Sequence, residues 1–270
     1  MGAATDTAAI RPLNAGGAGA KSNSDAGSGG SGGAIRALKF VVALALIPFC
    51  AGLSVAIHEH FVTTWAQLKF AVSGPSNMLK YFFAGAVFFS GAAILLWRPV
   101  VVYVFAHEVV HAIATWLCLG KVTNLSASAS GGQVTTSKSN TFIRLAPYCV
   151  PLYALLAAGI YAALNAWWRP MSPHAHWLCF VLGIFYAFHV GFTLWSLRRD
   201  QPDLKPDGWL FSLVLIYIGN AIVLTLLMGF VLEGSAANSL SALKESLANG
   251  WQQTRQIYSN LAGNLNAMMR

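Results

Sequence analysis

Charged residues are scarce in this chain. Only 10% of its 270 residues are Asp, Glu, Lys or Arg, whereas 56% are apolar, and soluble proteins average about 25% charged residues. So few polar groups cannot cover the surface of a soluble globule, and so many apolar residues are incompatible with a disordered chain. The composition therefore indicates a membrane protein.

A concentration of basic charge is also missing. The formal net charge is +8, but the 17 basic residues are scattered along the chain and form no dense stripe. Proteins that bind nucleic acids gather Lys and Arg on one face or along one helix. We therefore expect no nucleic-acid partner.

Cysteine is rare, and no two cysteines are spaced as a Cys-x-x-Cys pair. All four lie in apolar stretches, at Cys50, Cys118, Cys149 and Cys179. This pattern is typical of small buried thiols and not of a disulfide framework or a zinc knot.

Aromatic residues are absent before Phe40, and residues 1–35 are rich in Gly, Ala and Ser. Such a segment cannot offset the entropy lost on ordering, which predicts a disordered leader. Residues 36–233 would then form the transmembrane domain, and residues 234–270 a C-terminal tail.

Six predominantly apolar blocks follow the leader, each long enough to cross about 30 Å of hydrocarbon as a helix. They are Phe40–His58, Tyr81–Trp97, Pro99–Leu119, Leu145–Trp168, Trp177–Leu197 and Trp209–Leu232. Pro147 and Pro151 interrupt the fourth block. The blocks predict an all-α polytopic membrane protein with about six transmembrane helices.

Two segments outside the blocks have patterns of their own. Residues 121–140 mix strand-forming and turn-forming residues around Ser-Gly-Gly-Gln-Val-Thr-Thr at 130–136, which predicts a small surface hairpin. In the tail, leucines and aromatic residues recur at helical intervals; they are Leu240, Leu243, Leu247, Trp251, Tyr258, Leu261 and Leu265. This stripe predicts an amphipathic helix that lies on the membrane or packs on a partner.

One acidic residue lies deep inside an apolar block. Glu108 belongs to the run His-Glu-Val-Val-His, which begins at His107 and ends at His111. On a helix, residues four apart share a face, so the two imidazoles can meet at one metal ion. The carboxylate lies about 100° round the helix, close enough to reach a water on that metal. This is the zinc-protease arrangement, in which the carboxylate acts as general base on the zinc-bound water.

A catalytic zinc needs a third protein ligand. The joint before the sixth block offers Asp200, Asp203 and Asp207, and a Pro-rich turn can fold one carboxylate inward. His189, in the fifth block, is a rival ligand, although a lone histidine on an apolar helix is more often a hydrogen-bonded core residue.

Together these motifs resemble the site-2 protease family of intramembrane zinc metalloproteases. An H-E-x-x-H in a membrane helix is followed, two or three spans later, by an Asp-Gly doublet at a helix start. The segments similar to a small bacterial branch of that family are Ser130–Val134, Thr136–Asn140, Leu145–Tyr148, Phe188–His189, Gln201–Leu204 and Gly208–Ser212. The resemblance covers roughly residues 98–220, and the chain has no PDZ-like insertion.

The resemblance implies that His107 and His111 bind Zn²⁺ and that Glu108 is the general base. The Asp-Gly doublet of the wider family falls on Asp207, whereas the Gln-Pro-Asp-Leu segment of the small branch points to Asp203. Asp203 is slightly preferred, and both aspartates are retained as candidates.

A zinc metalloendopeptidase in a bacterial cell membrane is the activity and location that the resemblance implies. Its partners would be the lipid bilayer and a membrane-anchored protein substrate, which must unwind locally because a helical peptide bond is shielded. The hairpin would hold the unwound stretch as an added strand, through Gly131, Gly132 and Val134.

Two other classes of membrane protein use histidines on helices. Di-iron oxygenases need several clustered histidine boxes, and seven histidines with one H-x-x-x-H in an apolar block are too few. A non-catalytic transporter or scaffold that uses the His/Asp cluster as a metal or proton site is the alternative that stays open. No pattern in the sequence predicts an oligomeric state.

Overall fold

A computed structural model of the chain describes residues 29–68, 75–95, 99–167, 174–199, 201–233 and 236–269. The helices and strands are α1 (Gly29–Leu68), α2 (Pro75–Leu95), α3 (Val100–Leu117), β1 (Val122–Ser128), β2 (Gly131–Thr136), α4 (Thr141–Cys149), α5 (Leu152–Trp167), α6 (Ala175–Leu197), α7 (Trp209–Glu233) and α8 (Ala236–Met268). The predicted hairpin is confirmed, because β1 and β2 pair as an antiparallel sheet.

In the described part of the chain, five helices are long and apolar enough to cross a membrane, namely α1, α2, α3, α6 and α7. Helices α4 and α5 are a bent pair, with an angle of 72° between them, whose geometry is that of a broken sixth span or a re-entrant loop. The break follows from Pro151, which has no N–H to continue the helix and drives the preceding residue out of helical geometry; Val150 is extended, with φ −100° and ψ 107°. The prediction of an all-α polytopic membrane protein is confirmed.

The first helix begins earlier than its apolar block. α1 starts at Gly29, so residues 29–35, which the composition assigns to the disordered leader, are helical instead. The predicted disorder of residues 1–28 falls outside the described residues.

Helices α2 and α6 pack at very short range through two glycines. A Cβ atom added at Gly85 would overlap the backbone carbonyl of Phe180, and one added at Gly183 would overlap that of Phe82. Small residues at such crossings let two membrane helices approach closely and gain packing. This contact holds α6 beside the rest of the bundle.

Helix α8 packs on α1 and α7 through small side chains. Its buried residues are Ser239, Ala242, Ser246, Gly250 and Thr254. A Cβ atom at Gly52 of α1 would lie 2.5 Å from the Gly250 carbonyl oxygen, and the Thr254 hydroxyl lies 3.5 Å from the carbonyl of Pro48. α8 therefore runs antiparallel alongside the apolar part of α1.

The packing face of α8 is thus not the leucine stripe that we identified in the tail. Stripe residues with exposed side chains are Leu240, Trp251, Tyr258, Leu261 and Leu265. The predicted helix is present, but close approach to α1 selects the small residues on its other side, because bulky side chains would hold the two backbones apart.

Candidate metal centre

Helix α3 and the turn before α7 meet at a cluster of two histidines and one aspartate. The rings of His107 and His111 lie one helical turn apart, with centroids separated by 4.9 Å. The Nε2 atom of each histidine is 3.5 Å from Oδ2 of Asp203. Among the described residues, these three form a group that could hold a metal ion, with ligand atoms within 4.8 Å of one another.

The distance from Asp203 to each histidine fits a tetrahedral ion. Zinc bonds of about 2.0–2.2 Å to imidazole and carboxylate place a nitrogen and an oxygen ligand about 3.4 Å apart. The observed distance of 3.5 Å between Oδ2 of Asp203 and each Nε2 matches this expected distance between two ligand atoms. It is too long for a strong direct hydrogen bond. Three protein ligands leave such an ion one further position for water or substrate.

His111 is oriented by the entrance to α4. Its Nδ1 atom lies 2.8 Å from the carbonyl oxygen of Ile143, so Nδ1 carries the proton, and Nε2, which lies 3.5 Å from Asp203, is the nitrogen that could bind a metal. Asn140 caps α4 by accepting a hydrogen bond of 2.8 Å from the Ile143 amide. The cap thereby positions the carbonyl that fixes the histidine ring.

Asp203 is held by a buried tyrosine of α4. The hydroxyl of Tyr148 lies 3.1 Å from Oδ2 of Asp203 and 3.2 Å from Oε1 of Gln201. Burial alone would raise the pKa of Asp203, but the two neighbouring imidazoles hold that pKa below its usual range. The carboxylate is therefore ionised, which is the form that binds a metal.

Asp207 has a different environment, although it lies only one turn further on. Its Oδ1 accepts hydrogen bonds from Lys39 and, at 2.9 Å, from Thr141. Its Oδ2 accepts two from the guanidinium of Arg144, at 2.6 and 3.0 Å. The side chain is fully buried; burial would raise its pKa, but these donors hold it below the usual range.

The contacts of the two aspartates therefore distinguish them as candidate third ligands. Asp203 faces the histidines, while both oxygens of Asp207 are engaged by an ion-pair cluster that joins α1, α4 and the start of α7. Gly208 has φ +85°, a left-handed conformation that favours glycine and lets the chain turn from this cluster into α7.

Glu108 lies beside the hairpin. It is buried on α3, and Gly132 of β2 packs directly on its side chain. A Cβ atom at Gly132 would lie 2.5 Å from Cγ and 2.6 Å from Oε1 of Glu108, so only glycine allows this approach. The other two predicted substrate-binding residues, Gly131 and Val134, lie on the same strand and are half-buried.

His189 lies outside the metal group, among the described residues. It is buried on α6 and lines a small cavity that also contains His107. Tyr148 is a site residue to which our sequence reasoning assigned no role. The sequence does contain one indication of this role. A tyrosine in an apolar block is expected to be buried, and a buried hydroxyl needs a hydrogen-bond partner.

Comparison with protein-family models, with curated proteins and with solved structures finds no match to this chain.

Proposed function

We propose that this protein is an intramembrane zinc metalloendopeptidase. The observation that carries the proposal is the equal 3.5 Å separation between one carboxylate oxygen and two imidazole nitrogens, next to a glutamate on the same helix. Two histidines and a carboxylate, with one position left for water, are a ligand set of catalytic zinc. The two histidines lie on α3, which is one of five helices in the described residues that are long and apolar enough to cross a membrane.

His107, His111 and Asp203 would hold the zinc ion. When bound, the ion polarises a scissile carbonyl and lowers the pKa of its water to about 7. Glu108, which follows His107 on α3, would accept the proton of that water and deliver it to the departing amine. Because the side chains of the site are largely buried, few other water molecules can reach it.

The hairpin supports a membrane-anchored protein as the substrate. A peptide bond inside a helix is shielded and its carbonyl is already hydrogen-bonded, so the substrate must unwind before cleavage. In a sheet of two strands each strand keeps an unpaired edge, and an extended segment can add to it through backbone hydrogen bonds. Because Gly132 touches Glu108, a strand bound along β2 would pass close to the base. The resemblance to bacterial site-2 proteases favours a bacterial cell membrane as the location.

Metal analysis combined with a cleavage assay tests this function. We expect one zinc per chain in the wild type and in Glu108→Gln, and loss of zinc in His107→Ala and Asp203→Ala. Cleavage of a co-expressed membrane-anchored substrate should disappear in all three variants. Retained cleavage by Glu108→Gln would contradict the mechanism, and zinc binding with no cleavage of any membrane-anchored peptide would favour the transporter or scaffold.

A further inference from the structure

The two histidines of the metal centre differ in how their second ring nitrogen is supported. Nδ1 of His111 has a carbonyl oxygen at 2.8 Å. For Nδ1 of His107, the hydrogen-bonding atom found in the described part of the chain is the hydroxyl of Tyr103, at 3.5 Å. That distance is too long for a strong hydrogen bond, yet histidine ligands almost always donate this N–H to a firm partner.

A small cavity adjoins His107 on this side. It lies between α3, the break that separates α4 from α5, and α6, and Tyr103, Pro147, Pro151 and His189 are among its lining residues. The cavity has a volume of about 10 Å³, which is enough for about one water molecule.

His189 lines the same cavity and carries a buried polar atom without a hydrogen-bond partner within the described ranges. Its side chain is 94% buried, with a relative exposure of 6%, and its Nε2 atom has no hydrogen-bond partner among the described residues. The ring also interacts with the backbone of Tyr148 and the side chain of Asn220. Such an atom costs free energy unless a partner is supplied.

The two ring nitrogens are chemically complementary. With Nε2 of His107 facing the metal, its Nδ1 is a donor. With the ring proton of neutral His189 on Nδ1, its Nε2 is an acceptor. One water molecule can accept from the first and donate to the second, and the hydroxyl of Tyr103 offers that water a third contact.

We infer that His189 is a positioning residue for His107 and acts through a single water molecule in this cavity. The inference rests on the proposed metal centre and adds a residue that holds one of its ligands. His189 fixes the proton on Nδ1 of His107 and the direction of its Nε2, as Ile143 does directly for His111.

Metal affinity and the spectrum of the bound ion test this role on the full chain in detergent. We expect His189→Leu to weaken Zn²⁺ binding about 10- to 100-fold in competition with a chelator, the usual effect of losing such a partner. The visible absorption of the Co²⁺-loaded protein should change as well. His189→Gln, whose amide oxygen can accept the same hydrogen bond, should restore both properties.

A matched control separates positioning from stability. Leu182 is fully buried on the same helix but belongs to the cluster around Leu79 and Phe82. Leu182→Ala should lower the thermal stability and leave Zn²⁺ affinity and the Co²⁺ spectrum unchanged. His189→Met provides the apolar variant if His189→Leu does not fold.

Three outcomes would overturn the inference. The first is wild-type affinity and spectrum in the apolar His189 variants. The second is a loss of Zn²⁺ affinity in His189→Gln as large as that in His189→Leu, which would show that packing and not the acceptor matters. The third is a loss of Zn²⁺ affinity in Tyr103→Phe with no loss in the His189 variants, which would make Tyr103 the direct partner of His107. Retention of zinc by His107→Ala would instead contradict the metal centre itself.

Discussion

Replacing Asp207 by alanine should destabilise the fold without removing the metal. Asp207 accepts four hydrogen bonds from Lys39, Thr141 and Arg144. Its removal takes the carboxylate from the ammonium of Lys39 and from the Nε and Nη2 donors of Arg144, whose side chains are only 25% and 17% exposed. Breaking a buried ion pair from one side costs about 3 kcal/mol or more. We expect Asp207→Ala to unfold at a clearly lower temperature and to retain one zinc per chain.

Asp203→Ala is the matched comparison, since it removes a carboxylate from the same turn. It should lose zinc while its metal-free form keeps a stability close to that of the metal-free wild type. Zinc analysis and thermal unfolding of both variants test which aspartate binds the metal and which one stabilises the fold. Loss of zinc from Asp207→Ala with unchanged stability of the metal-free protein would refute the assignment of the two aspartates.

The same cluster predicts a dependence of stability on pH. The pKa of Asp207 is lowered in the folded protein despite its burial, because Lys39, Arg144 and Thr141 donate to its carboxylate. Its contribution is therefore fully present above the unfolded pKa of about 3.9 and is lost as the pH falls through the folded value. In Asp207→Asn this contribution should be missing, so unfolding curves of the two proteins should converge as the medium is acidified below about pH 4.

Further substitutions test the remaining contacts. Gly132→Ala should abolish cleavage but keep zinc, because its Cβ would displace Glu108; the control Gly91→Ala, where the added Cβ meets nothing within 4 Å, should be fully active. Tyr148→Phe removes the hydroxyl beside the metal-binding carboxylate and should weaken zinc binding about 10-fold, measured by chelator competition; unchanged affinity would contradict its role. Gly52→Ala should lower the thermal stability by forcing α1 away from α8, and a variant as stable as the wild type would contradict that packing.

Features that depend on neighbours in sequence were predictable. Apolar length identified the membrane-crossing helices, because a chain in lipid must satisfy its backbone hydrogen bonds within each helix. Pro151 located the break between α4 and α5, whereas Pro147 lies inside α4, and the four-residue spacing of His107 and His111 put both rings on one face. Each of these depends on local geometry alone.

The role of Tyr148 and the packing face of α8 could not be predicted in this way. Tyr148 reaches a carboxylate 55 positions away, and Thr254 lies beside a carbonyl 206 positions away. Periodicity describes which residues share a helix face, but it does not say which face a distant helix will contact. For α8 the choice depended on how closely two backbones could approach.

What the sequence determined by itself was therefore a bundle of membrane helices, one of which carries His107, Glu108 and His111. Only the tertiary structure showed that Asp203, and not Asp207 four residues later, lies beside the two histidines. Lys39, far away on α1, and Arg144, on α4, engage Asp207, while Tyr148 holds Asp203 toward the histidines. The reason is physical: a carboxylate is assigned by the charges and donors that surround it in space, and these come from helices distant in the chain.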